Sequence, residues 1–148
     1  QEFGDAVLKN LGKSPEFLKP VVYRAAAPAL THNHPPSIAK RHLTGIDVFI
    51  YHRGVLSDFF SKISHINVGA LRLKMISNRG VRVWPQGQPE TFCIEQWRCR
   101  FLTDDGKTAS QNDVIEILHA FDHVGLDVIK SEFLYDFDGK PGYSSAEG

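Results

Sequence analysis

Residues 71–85 read "LRLKMISNRGVRVWP", and the fold turns on how this stretch is parsed. Apolar and basic side chains alternate along 70–77, the period-two signature of a strand with one dry face and one wet face. Asn78, Arg79 and Gly80 interrupt the alternation, and Asn and Gly both tolerate the positive φ of a tight turn. "VRVW" (81–84) then returns as a short strand before Pro85. The stretch is a β-hairpin, so its flanks decide what sheet it joins.

Upstream, "LTGIDVFIYH" (43–52) is a β-branched and aromatic strand ended by Arg53-Gly54. Between it and the hairpin, "VLSDFFSKISHI" sets Val55, Leu56, Phe59, Phe60, Ile63 and Ile66 at helical intervals. Downstream, "IEQWRCRFL" (94–102) alternates again and meets the turn Asp104-Asp105-Gly106. A second helix runs through "SQNDVIEILHAFDHVG", with Ser110 as N-cap and Asp113 three residues on, a capping-box-like pair. Val114, Ile117, Leu118, Phe121 and Val124 form its apolar stripe, and Gly125 ends it. "LDVIKSEFLYDF" (126–137) is the last strand, followed by the polar tail "DGKPGYSSAEG".

The order is β-α-β-β-β-α-β. Without the short strand at 81–84 it is βαββαβ, an α+β ferredoxin-like (ACT-like) sandwich with an extra short hairpin strand. Two helices would cover one face of an antiparallel sheet and leave the other uncovered. That architecture hosts RNA-binding, effector-sensing and enzymatic domains alike, so fold does not name function.

Before this domain (44–148) stand a helix and a linker. "EFGDAVLKNLGK" spaces Phe3, Val7, Leu8 and Leu11 helically, with Gly12 as a C′ residue and Pro15 beyond, within a first segment of 1–19. About three turns of amphipathic helix need something to dock on. Residues 20–43 carry Pro20, Pro28, Pro35 and Pro36 and read as an extended linker.

The totals narrow the partners. The 148 residues are 42% hydrophobic and 23% charged, ordinary for a soluble globular chain. Lys+Arg and Asp+Glu balance at 17 each, so no global charge points to nucleic acid or an anionic membrane. No apolar run reaches bilayer length, and the first residues lack a signal-peptide pattern. Cys93 and Cys99 on one strand would lie about 20 Å apart and could not bridge, which fits free thiols in a reducing cytoplasm.

Period two sorts the hairpin residues by face. Leu71, Leu73, Met75, Val81 and Val83 point one way with Trp97, Cys99 and Phe101; Arg72, Lys74, Arg82, Trp84, Arg98 and Arg100 point the other. This second set is the candidate interface or effector surface. Three readings of it stay open: solvated or paired charges, which any wet-faced strand carries; a face covered by a protein partner; a ligand or nucleic-acid site. Base stacking needs exposed aromatics, and only Trp84, Phe49 and Tyr51 could supply them, which counts against RNA.

Catalytic and metal motifs are thin. His119 and His123 lie four apart on a helix, but Glu116 lies outside the pair and no third ligand is evident. His32 and His34 fall in the linker, and Asp104-Asp105 and Asp136/Asp138 sit in turn contexts. No phosphate loop, nucleophile elbow or Cys-His pattern occurs. From the residues alone, no catalytic, cofactor or metal site is assigned within this chain.

Longer strings carry a resemblance. "FGDAVLKNLGKSPEFLKPV" resembles the last helix and exit segment of the catalytic core of bacterial NADP-dependent isocitrate dehydrogenases. "LTGIDVFIYHRG", "LRLKMISNRGVRVWPQGQPETFCIEQWRCRF" and "VIKSEFLYDFDGKPGYSSAEG" resemble the extra C-terminal domain of the Thermus and rickettsial types. The resemblance implies a parent that oxidatively decarboxylates isocitrate to 2-oxoglutarate in the tricarboxylic acid cycle. NADP would take the hydride, and Mg²⁺ or Mn²⁺ would polarise the substrate oxygens. The family's substrate, metal and cofactor residues belong to the core and none aligns here, so no catalytic residue is carried over. The chain is then expected to be a cytoplasmic enzyme's C-terminal piece, partnered by its own core and by other subunits of a homo-oligomer.

Overall fold

In the computed structural model of the chain, the residues described are 1–19, 38–87, 90–104 and 107–144. The linker residues 20–37 lie outside them. The chain divides into two units, Gln1–Ser37 and Ile38–Gly148. In the first, α1 (Glu2–Asn10) forms as the spacing predicts and buries none of its residues. Gly12 follows at φ 77°, a conformation glycine adopts without a Cβ clash.

The second unit is mixed α/β. In order it holds β1 (Arg41–Tyr51), α2 (Leu56–Ile63), β2 (Asn67–Val68), β3 (Leu71–Asn78) and β4 (Val81–Trp84). Then come β5 (Gln96–Leu102), α3 (Gln111–His123), β6 (Asp127–Phe137) and β7 (Lys140–Pro141). Every strand pair is antiparallel, in the order β2-β3-β5-β1-β6-β7, with β4 against β3. β1 starts at Arg41, inside the stretch expected to be linker, because Leu43 already faces the core.

Ile46, Val48 and Ile50 of β1 and Trp97, Cys99 and Phe101 of β5 meet Phe59 and Ile63 of α2 and Val114, Ile117 and Phe121 of α3 in one buried cluster. Each such large side chain contributes roughly 1.5–3 kcal/mol on burial. Phe59 meets Trp97 edge-on with centroids 5.2 Å apart, and Phe101 meets Phe121 at 5.8 Å. Both helices are fixed at their starts by acids. Asp113 accepts from the Ser110 N–H at 2.7 Å while Ser110 Oγ accepts from the Asp113 N–H at 3.1 Å. Asp58 accepts from the Val55 N–H at 3.0 Å.

The simple alternation fails inside β3. Against β5 the register slips between Leu73 and Met75, and against β4 it slips between Ile76 and Ser77. An extra residue reverses which side chains face the core. Met75 therefore lies opposite Arg100 on the second face, and Ile76 takes the core place opposite Cys99. Asn78, expected in the turn, ends the strand buried, its side chain bonding Ile94 N–H, Ile94 C=O and Gln96 C=O. Arg79 at φ 52° and Gly80 at φ 81° make the turn.

Candidate functional site

The second sheet face carries two cross-strand rows. One runs Arg82, Ser77, Arg98, Phe49, Lys130 across β4, β3, β5, β1 and β6. The next runs Met75, Arg100, Asp47, Glu132 across β3, β5, β1 and β6. Strand pairing alone puts Asp47 beside Arg100.

Their geometry is that of a structural ion pair. Arg100 donates from Nε and Nη2 to the two Asp47 oxygens, each at 2.7 Å, with the side chains 4% and 1% exposed. The forked, charge-assisted contact matches both groups and offsets part of their desolvation. Hydrogen bonding to Asp47 is the main force raising the Arg100 pKa, so the guanidinium stays charged. Arg98 adds a second guanidinium, its Nη1 3.9 Å from Asp47 and its Nε donating to Ser77 Oγ at 2.9 Å.

The chain's own tail covers part of this face. After β7 the Gly142 N–H bonds the Tyr135 carbonyl at 2.8 Å, turning the tail back. The Arg100 guanidinium lies 5.2 Å from the Tyr143 ring centroid, and its Nη1 donates to the Ser144 carbonyl at 2.6 Å. The second face thus has a strap, where the sequence led us to expect none.

The six candidate residues separate accordingly. Arg98 and Arg100 meet at Asp47, and Arg82 sits half-buried opposite Ser77. Lys74 pairs with Asp104 at 3.1 Å and helps to hold that carboxyl below its ordinary range. Arg72 bonds the carbonyls of Gly69 and Leu71 in its own turn. Trp84 is a correction: the slip at Ile76 puts it opposite that core residue, 5.2 Å from the Phe60 ring of α2, not on the second face. This removes an aromatic on which a base could stack; Phe49 lies under Lys130 and Tyr51 under Arg53. Asp47 was missed, although a lone acid within "GIDVFI" facing two arginines was a readable signal.

Two of the concavities border these side chains. One of about 490 Å³ is bordered by His42, Thr44, Asp104, Lys107, Asp136 and Tyr143. Another of about 210 Å³ lies at Phe49, Ser77, Arg79, Ile94, Gln96 and Arg98. Among the described residues no group of three or more His, Cys, Asp or Glu is placed to hold a metal. His119 and His123 are exposed on α3, and His32 and His34 lie outside the described residues.

Residues 41–148 match the family model described as "Bacterial isocitrate dehydrogenase, C-terminal domain". An NADP isocitrate dehydrogenase of Rickettsia bellii is 31% identical over 153 residues, spanning 100% of this chain and 32% of the relative. That of Thermus thermophilus is 33% identical over 162 residues, spanning 99% of this chain and 30% of the relative. A crystal structure of a Thermus thermophilus protein superposes with TM-score 0.64 at 28% identity, over 97% of this chain and 29% of that one. The chain thus spans about a third of the length of the curated relatives it matches.

Proposed function

Since the chain belongs to the bacterial isocitrate dehydrogenase C-terminal domain family, we propose that it is the non-catalytic appended domain of a cytoplasmic NADP-dependent isocitrate dehydrogenase. The parent converts isocitrate to 2-oxoglutarate and CO₂ while reducing NADP, with its metal and cofactor held by the catalytic core. The domain serves assembly and stability of a homo-oligomer, and it is classed as ferredoxin-like: β1, β3, β5 and β6 stand in the order β3-β5-β1-β6, the antiparallel order of a split βαβ sandwich.

The observation that carries this reading is the second face. Its buried ion pair is satisfied within the chain, Asp47 by Arg100 and Arg100 by Asp47 and the 142–144 strap, which is the chemistry of a packed scaffold. Arg98 donates to Ser77 and keeps a buried Nη2 without a partner among the described residues. A reacting site needs groups poised toward a substrate. Removing residues 41–148 from the parent enzyme tests it. Hydride transfer per core should persist while thermal stability falls; abolished transfer in a folded, assembled truncated enzyme would refute the non-catalytic role.

One observation favours a second reading, an effector site. The concavity of about 210 Å³ joins two guanidinium groups, Arg79 and Arg98, to apolar Phe49 and Ile94, a lining suited to a small carboxylate with an apolar part. Calorimetry with short carboxylates and amino acids tests this, and absence of heat for all of them would remove it.

A further inference from the structure

We propose that the open edge of β6 pairs antiparallel with the same edge of a second copy of this chain, about a twofold axis through Ser131. The inference deepens the assembly role proposed above and rests on it.

β6 is the long edge strand of the sheet. β7 joins its outer side at Asp136 and Phe137 and the Gly142 N–H takes the Tyr135 carbonyl, so among the described residues no strand pairs with 127–134 there. Unpaired backbone donors and acceptors along such an edge are a template for another strand. Ile129 and Phe133, both nearly half exposed, lie along it. Lys130 and Glu132, also about half exposed, form an ion pair with each other.

The register follows from the charges. In a twofold antiparallel pair, each residue faces the partner whose number completes the same sum. Centred on Ser131, Lys130 faces the second copy's Glu132 and Glu132 faces Lys130, while Ile129, the extra residue of a bulge against β1, stands just outside this charged pairing. Centred on Lys130 or on Glu132, like charges would meet on the axis. Only the Ser131 centre sets opposite charges across both junctions.

The rows behind these residues extend the match. Lys130 ends the row holding Arg82 and Arg98, while Glu132 ends the row holding Asp47. In the Ser131 register the basic row of one copy therefore runs into the acidic end of the other's. Edge charges often block pairing, but a Lys–Ser–Glu order along an antiparallel edge is self-complementary.

The test uses the full-length protein that carries this chain. Ser131→Cys places a thiol on the axis, and a short bismaleimide should then give a covalent dimer absent from the parent protein. Adding Lys130→Glu reverses the sign of two pairs together and should slow crosslinking on the order of tenfold. Adding Glu132→Lys as well should restore it, which a merely damaged fold would not do. No covalent dimer above the parent, or no recovery with both charges exchanged, overturns the pairing. If removing 41–148 changes assembly while Ser131→Cys fails to crosslink, the assembly role stands on another surface and this pairing is wrong. If Ser131→Cys crosslinks while that removal leaves assembly intact, the pairing stands and the assembly role falls.

Discussion

Changing Asp47 to Asn keeps the shape of the side chain and removes its charge. In the native sheet both carboxylate oxygens accept from Arg100 at 2.7 Å, with both residues at least nine-tenths buried. An amide offers one acceptor and turns an NH₂ toward the guanidinium, leaving a cation unpaired in a poorly solvated site. Breaking a buried pair from one side costs about 3–5 kcal/mol. For a domain of this size that is a fall in melting temperature of roughly 12 °C or more. Thermal and urea unfolding followed by far-UV circular dichroism would measure it. The paired change Asp47→Val with Arg100→Met removes both charges and should recover most of the loss, because ion pairs of this kind add little over apolar packing. Arg98 keeps Ser77 in that variant but loses its 3.9 Å contact with Asp47, which is the part of the loss not recovered. A loss under about 1 kcal/mol in Asp47→Asn, or a double variant as weak as the single, would refute the assignment of Asp47 as the charge that holds this face.

Three further outcomes follow from particular contacts. Ser110→Ala removes the acceptor for the Asp113 N–H and should cost about 1 kcal/mol in urea unfolding; no change would show the capping box to be idle. Lys74 is the first cause of the lowered Asp104 pKa, ahead of Lys107. A depressed carboxylate stabilises above its unfolded value, about 3.9, and loses that as pH falls through the folded value. Lys74→Met should therefore raise the Asp104 midpoint in an NMR titration and flatten the acid limb of stability against pH, and an unmoved midpoint would contradict the pairing. Burial pushes the Cys99 thiol up, so iodoacetamide at mildly alkaline pH should label it only in the unfolded chain, and rapid labelling of the native protein would contradict its place in the core.

The sequence marked the elements well because their signals are local. Ser110 and Asp113 announced the start of α3, and the apolar spacing through Phe59 and Ile63 announced α2. The strand at 81–84 was legible to the residue, since Asn78 to Gly80 and Pro85 bound it on both sides. The faces were less legible. Period two assumes uninterrupted register, but Lys74 is an extra residue against β5, a strand about twenty residues on, and Val83 is an extra residue within the hairpin itself, neither marked by a glycine or proline. Those slips exchanged Met75 for Ile76 and carried Trp84 to the helix side. Arg100 looked like a surface cation because its neighbours Asp47 and Ser144 are 53 and 44 residues away. A tail as polar as "DGKPGYSS" gives no warning that Tyr143 folds back over an arginine.

On the function proposed above, this domain serves assembly and supplies no catalytic group. Sedimentation velocity of the parent enzyme with and without residues 41–148, at matched concentration and with turnover per core measured on the same samples, tests it most directly. The expected result is a smaller or more readily dissociating species that still reduces NADP with isocitrate. An unchanged sedimentation profile, or a truncated species that sediments like the parent and has lost turnover, would contradict it.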